Sequence, residues 1–118
     1  MSKKKDIRKN FRDDVYKRDK YTCRHCGAIY SESTAKELLD AHHITDRSEM
    51  SNGGYVKENG ITLCKYNAEG GEENSCHMKA EKFHITGGAE WEEGMHPDDL
   101  YNLIGSSYEE AVNASEKL

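Results

Sequence analysis

Residues 38–44, Leu38-Leu39-Asp40-Ala41-His42-His43-Ile44, decide how the rest of the chain is read. Aliphatic residues at both ends of a short run predict a β-strand. Two neighbouring imidazoles lie inside it. Consecutive side chains of a regular strand face opposite sides. Both rings can serve one site only if the strand bends, bulges or ends near His43. Downstream, Ile61-Thr62-Leu63 is a second β-prone run, ending at Cys64. Residues 45–60 between them are polar and carry the turn signals Gly53-Gly54 and Asn59-Gly60. The pair predicts an antiparallel hairpin closed by a long loop.

Four cysteines flank this hairpin. Cys23-x2-Cys26 precedes it, Cys64 ends its second strand, and Cys76 follows after the insertion Lys65–Ser75. That insertion, with Gly70-Gly71 and the acids Glu69, Glu72 and Glu73, reads as an exposed loop. A C-x2-C turn presents two sulfurs to one ion, and Gly27 suits the positive φ such a turn often needs. Four thiolates match tetrahedral zinc, and a closed four-sulfur shell makes the metal structural. The alternative is one redox pair with an incidental second pair. In a chain of 118 residues with 35% hydrophobic and 33% charged side chains, apolar packing alone is marginal, so a metal staple would bear on folding.

Outward from the hairpin, Ile7, Phe11 and Val15 recur at helical spacing, with Tyr16 a further candidate for the same face. They predict an amphipathic helix over about residues 6–18. Residues 31–37 read as a polar loop or a helical turn. His77-Met78-Lys79-Ala80-Glu81-Lys82-Phe83 is rich in helix formers. Pro97-Asp98-Asp99 opens a further helix with an apolar face of Leu100, Leu103 and Ile104, and Gly105 is placed to end it. Ser107-Tyr108-Glu109-Glu110 has the capping-box pattern of a last helix. The fold class expected is α+β in a single domain, 1–118. It comprises a basic N-terminal helix (1–20), a zinc-stapled core (21–85) and an acidic helical extension (86–118).

Net charge is −5, but its distribution is uneven. Residues 1–25 hold ten Lys/Arg against four Asp/Glu, and residues 86–118 hold eight acids against one lysine. Local potential decides where a phosphate backbone docks, so the basic end is the candidate contact surface. A solvated tail is the plainer reading of the same lysines. No apolar run of about 18 residues exists, so no membrane span is expected. The start Met1-Ser2-Lys3-Lys4-Lys5 lacks the apolar stretch of a secretory signal. The expected location is intracellular, cytoplasmic in a bacterial host.

Four segments together carry a family resemblance. Tyr21-Thr22-Cys23-Arg24-His25-Cys26-Gly27, Ala41-His42-His43-Ile44, Glu58-Asn59-Gly60-Ile61-Thr62-Leu63-Cys64 and Cys76-His77-Met78-Lys79-Ala80-Glu81 look like the HNH endonuclease family. The likeness runs from about Phe11 to His84. The stretch around Pro97-Asp98-Asp99-Leu100-Tyr101 also resembles extensions of some phage-encoded members. The resemblance implies a ββα-metal core in which a hairpin and a helix grip one divalent cation.

It further implies a DNA endonuclease, nicking or double-strand cutting, that leaves a 5′-phosphate and a 3′-hydroxyl. His43 takes the general-base position, and His42 and His77 take metal-ligand positions. Asn59 takes the position that would orient the base. Colicin-type members place a second histidine where this chain has Glu81, so Glu81 becomes the third ligand, with His84 or water competing. The cation could be Mg²⁺, Mn²⁺, Ni²⁺ or Zn²⁺. The chemistry is coherent: a neutral imidazole can take the proton of an attacking water, and a cation can hold the phosphate. A small domain has little surface for a long recognition site, so a protein partner would supply any sequence specificity. The competing functions are a non-catalytic zinc module that binds nucleic acid or a protein, and an interaction protein docking through its acidic tail. Asn59-Gly60 is also a common turn dipeptide. His25 and His96 read as structural or exposed, and Arg47 as solvated or phosphate-facing.

Overall fold

A computed structural model of the chain describes residues 3–66 and 74–118. Its first element, α1 (Lys3–Arg18), begins earlier than the apolar spacing predicts and sets Phe11, Val15 and Tyr16 into the core. The polar stretch that follows the cysteine turn, open in sequence between a loop and a helical turn, forms α2 (Glu32–Leu38). Ala35 is its one buried residue, which is why no apolar periodicity announces it. Strand β1 (Leu39–His43) pairs antiparallel with β2 (Gly60–Cys64), in a register running from Leu39 opposite Cys64 to His43 opposite Gly60. The long loop between them carries three short 3-10 turns, Arg47–Glu49, Ser51–Gly54 and Lys57–Asn59. Helix α3 (Cys76–Ile85) follows, and the sequence reading of an exposed loop over 65–75 falls largely outside the described residues.

Gly53 and Gly54 adopt φ +76° and +64°, as the turn reading requires. Gly60 does not. It has extended backbone (φ −123°, ψ 143°) and is the first residue of β2. Glycine is needed there for space, because α1 crosses directly over it.

The basic N-terminal end is partly consumed by structure. Asp19, buried just past α1, accepts from Arg18 Nε and Nη2 at 2.8 Å, from Arg24 Nη1 at 3.2 Å and from the Thr62 backbone N–H at 3.0 Å. Arg18 also donates to the carbonyls of Lys57 and Gly60 at 2.5 and 2.6 Å. A buried carboxylate surrounded by donors in this way ties helix to hairpin. These two arginines therefore belong to the frame rather than to a free cationic surface.

The acidic C-terminal third is integral to the core. Helix α4 (Pro97–Leu103) is capped by His96, whose Nδ1 accepts from the Asp98 N–H at 3.1 Å, and Gly105 at φ +67° follows its end. Helix α5 (Tyr108–Glu116) starts as its sequence predicts, with Ser107 Oγ accepting from the Glu110 N–H at 3.1 Å. Met95, Leu100, Tyr101 and Ala111 are buried among Leu39, Ile44, Ile61 and Leu63 of the hairpin region. Asn52 donates to the Ser115 carbonyl at 2.9 Å and Ser115 donates to the Ser51 carbonyl, so α5 braces the loop between the strands. No helix among the described residues is long and apolar enough to cross a membrane.

Candidate metal centre and catalytic cleft

Strand alternation sorts the residues of β1. Asp40 and His42, two apart, face α3; His43 faces α1. On α3, Ser75 fixes the first turn by accepting from the Met78 N–H at 3.2 Å. His77, Glu81 and His84 then recur at i, i+4 and i+7, which places them on one helix face. The two sets meet. The His77 Nε2 is 3.2 Å from Asp40 Oδ2 and 3.5 Å from Glu81 Oε1. The His42 and His77 ring centroids are 5.9 Å apart.

Asp40, His42 and His77 each turn one ligand atom to a common point, all within 4.8 Å of one another. His42 is 2% exposed. Its Nδ1 lies 3.2 Å from Glu81 Oε1 but off the line that a hydrogen bond requires, so this buried nitrogen is left without a hydrogen-bond partner. Such an orphan costs free energy unless something else uses its lone pair. Two imidazoles beside two carboxylates form a donor set suited to a divalent cation.

Electrostatics agree with this crowding. The adjoining His42 and His77 rings hold the Glu81 carboxyl well below the usual carboxylate range. Burial pulls the His77 pKa down, yet Glu81 and Asp40 more than offset it and leave the value raised. His42 is lowered, chiefly by burial.

His43 is the last residue of β1, opposite Gly60, and the ladder continues in register to Ile44, whose N–H donates to the Asn59 carbonyl at 2.9 Å. The strand neither bulges nor bends there, and the two imidazoles face opposite sides of it. The His43 ring stacks on Phe11 (centroids 4.5 Å, 25° between planes) and meets Tyr55 edge-on at 4.6 Å. Burial, then the neighbouring His42 and Arg47, push its pKa down to about 4, so the ring is neutral at pH 7. It shares the wall of a cavity of about 440 Å³ with Asp40, His77, Glu81, Arg8 and Arg12. His42 stands behind that wall.

Asn59 is fully buried and uses both ends of its amide. The Oδ1 accepts from the Thr45 N–H at 2.9 Å and from the Tyr101 hydroxyl at 2.7 Å. The Nδ2 donates to the carbonyls of Thr45 at 3.1 Å and Gly54 at 3.2 Å. None of these bonds reaches the His43 ring. Asn59 holds the backbone that leaves β1, two residues past His43.

The cysteines form a second cluster. The sulfurs of Cys23, Cys26, Cys64 and Cys76 lie within 4.8 Å of one another and form no disulfide. Cys23 and Cys26 sit on a tight turn in which the Gly27 N–H donates to the Cys23 carbonyl at 2.9 Å, with Gly27 at φ +81°. Cys64 ends β2 and Cys76 opens α3. Three of the four are buried, and Cys26 closes the solvent side. The Cys76 sulfur, 3.4 Å from His25 Nδ1, engages Cys23 so closely that the Cys23 pKa falls to about 4, while that of Cys76 rises. Four sulfurs that close could hold a structural metal ion such as zinc.

Sequence reasoning placed His42, His77 and all four cysteines where the clusters form and His43 beside the cavity. Its third ligand, Glu81, lies outside the three-atom cluster, where Asp40, which it did not name, stands instead. The signal was present as i, i+2 spacing from His42 on a strand. His84, the competing ligand, lines the same cavity but stands outside the three-atom cluster. Its Nε2 lies instead 2.9 Å from the His43 carbonyl oxygen. No family model, curated protein or solved structure matches this chain.

Proposed function

We propose that the protein is a metal-dependent DNA endonuclease of the HNH kind, with the cation between β1 and α3 and His43 as the general base. The observation that carries this reading is the convergence of Asp40, His42 and His77 within 4.8 Å beside a cavity that His43 also lines. Asp40, His42 and His77 would hold the cation, with Glu81 against both rings as a further carboxylate. What a bound divalent cation supplies is charge stabilisation at the phosphate and at the departing 3′ oxygen.

The chain's own residues do the rest. His43, neutral at pH 7, takes a proton from a water that attacks phosphorus on the side opposite the leaving oxygen. Phe11 and Tyr55 hold its ring in one orientation, and Asn59 holds the chain just beyond it. Breaking the bond to the 3′ oxygen, which takes up a proton from solvent water, leaves a 5′-phosphate and a 3′-hydroxyl. Arg8, Arg12 and Arg47 line the cavity and meet the backbone of the strand. The four-cysteine site carries zinc as a staple that joins the turn before α2, the end of β2 and the start of α3. A purely binding zinc module would have no use for a buried His42 Nδ1 held 3.2 Å from Glu81 Oε1 beside a second imidazole and a second carboxylate.

A plasmid-nicking assay with Mg²⁺, Mn²⁺, Ni²⁺ and Zn²⁺ tests the reading. Cation-dependent nicking by the wild type, lost in a folded His43→Ala variant with unchanged zinc content, supports it. Equal cutting by that variant overturns it.

A further inference from the structure

We infer that His84 is a positioning residue that sets the distance between the base and the cation, and is not a ligand to that cation. The inference rests on the nuclease reading above for what the positioning serves. It starts from the open edge of β1. Among the described residues the sheet has two strands, so β1 has a strand partner along one side only. The Ile44 N–H donates to the Asn59 carbonyl at 2.9 Å, which makes 44 and 59 a hydrogen-bonding pair of the extended ladder. By antiparallel alternation the carbonyl of His43 then points away from β2. His84 Nε2 meets that oxygen at 2.9 Å.

A carbonyl oxygen only accepts, so Nε2 carries the proton and only Nδ1 keeps a lone pair. His84 offers no nitrogen to the cluster that Asp40, His42 and His77 form, which leaves its ring to the backbone contact. The same ring stacks on His42, with centroids 5.3 Å apart and planes 25° apart. One side chain of α3 thus touches the backbone of the base and the ring of a cation ligand. His77 and Glu81 lie on the same helix face, so this contact fixes β1 against α3 at the site. A misplacement of about 1 Å at such a point can cost about 100-fold in rate.

Two measurements test this. The first needs no substrate: imidazole ¹⁵N shifts of the full-length protein, recorded with and without added Zn²⁺ at the second site. We expect a protonated-type Nε2 for His84 that holds its shift when the His42 and His77 nitrogens move. Movement of a His84 nitrogen into the metal-bound range overturns the inference. The second is kinetic. His84→Leu should lower kcat about ten- to 100-fold with KM for DNA and cation affinity unchanged. His84→Gln, whose amide nitrogen can reach the same carbonyl, should recover most of the loss. Wild-type kcat in His84→Leu, a loss of cation affinity in it, or no recovery in His84→Gln each overturns the inference. The nitrogen shifts are read without cutting, so a failure here is separable from a failure of the nuclease reading, which His43→Ala decides.

Discussion

Gly60 lies directly beneath Phe11: a Cβ placed on it would come within 2.7 Å of Phe11 Cε1 and 2.5 Å of Val15 Cγ2. The Phe11 ring is the surface on which His43 stacks, so the absence of a side chain at residue 60 sets where the imidazole lies. Gly60→Ala must push α1 away from β2. We expect a loss of about 1–3 kcal/mol in urea unfolding, the usual cost of overpacking. Nicking should fall more than stability alone explains, because His43 loses its support. Wild-type stability in that variant would show that α1 is not fixed against the hairpin.

Asn59 and Tyr101 link the C-terminal third to the site. Asn59→Asp replaces a donor with a carboxylate oxygen that faces the carbonyls of Thr45 and Gly54. The expected cost is about 2–4 kcal/mol, because a buried charge then lies against two acceptors. Tyr101→Phe removes one donor to Asn59 Oδ1 but leaves the Thr45 N–H in place, so a loss of about 1 kcal/mol is expected. Urea denaturation of the two variants checks the order. Truncation of residues 86–118 removes Leu100, Tyr101 and Ala111 from the core and should leave no cooperative unfolding transition.

Asp40 and Glu81 can be told apart by cation affinity. Asp40 belongs to the three-atom cluster, whereas Glu81 reaches the rings from one turn along α3. Titration calorimetry with Mn²⁺ should show a loss of at least about tenfold for Asp40→Asn. Glu81→Gln should lose less. The reverse order would restore Glu81 as the third ligand.

Arg8 and Arg12 separate the cations that face the cavity from those committed elsewhere. Both are exposed along α1 at the cavity wall, and among the described residues neither has a carboxylate within ion-pair distance. Lys9, between them, is paired with Asp13 at 2.6 Å. Arg8→Ala and Arg12→Ala should each weaken DNA binding and reduce the slope of log K against log salt by about 0.9 for each phosphate no longer neutralised. Lys9→Ala should change the slope little. Equal effects from all three would mean that DNA responds to the charge of the helix as a whole.

The sequence by itself determined whatever is written in short-range chemistry. Aliphatic and β-prone content marked β1 and β2, and 3.6-residue spacing marked α1. Pro97 with Gly105 and the Ser107 cap marked α4 and α5, and C-x2-C predicted a turn that two distant cysteines complete. Only the tertiary structure decided the partners. His84 meets His43 across 41 residues and Tyr101 meets Asn59 across 42. Asp40 joins the cluster because α3 packs on one face of β1, and Gly60 is glycine because α1 crosses it rather than because the chain turns there. Arg18 and Arg24 read as surface charge until Asp19 is seen buried between them. Local propensity acts over a few residues, whereas a site is assembled by packing between elements that no short window of sequence contains.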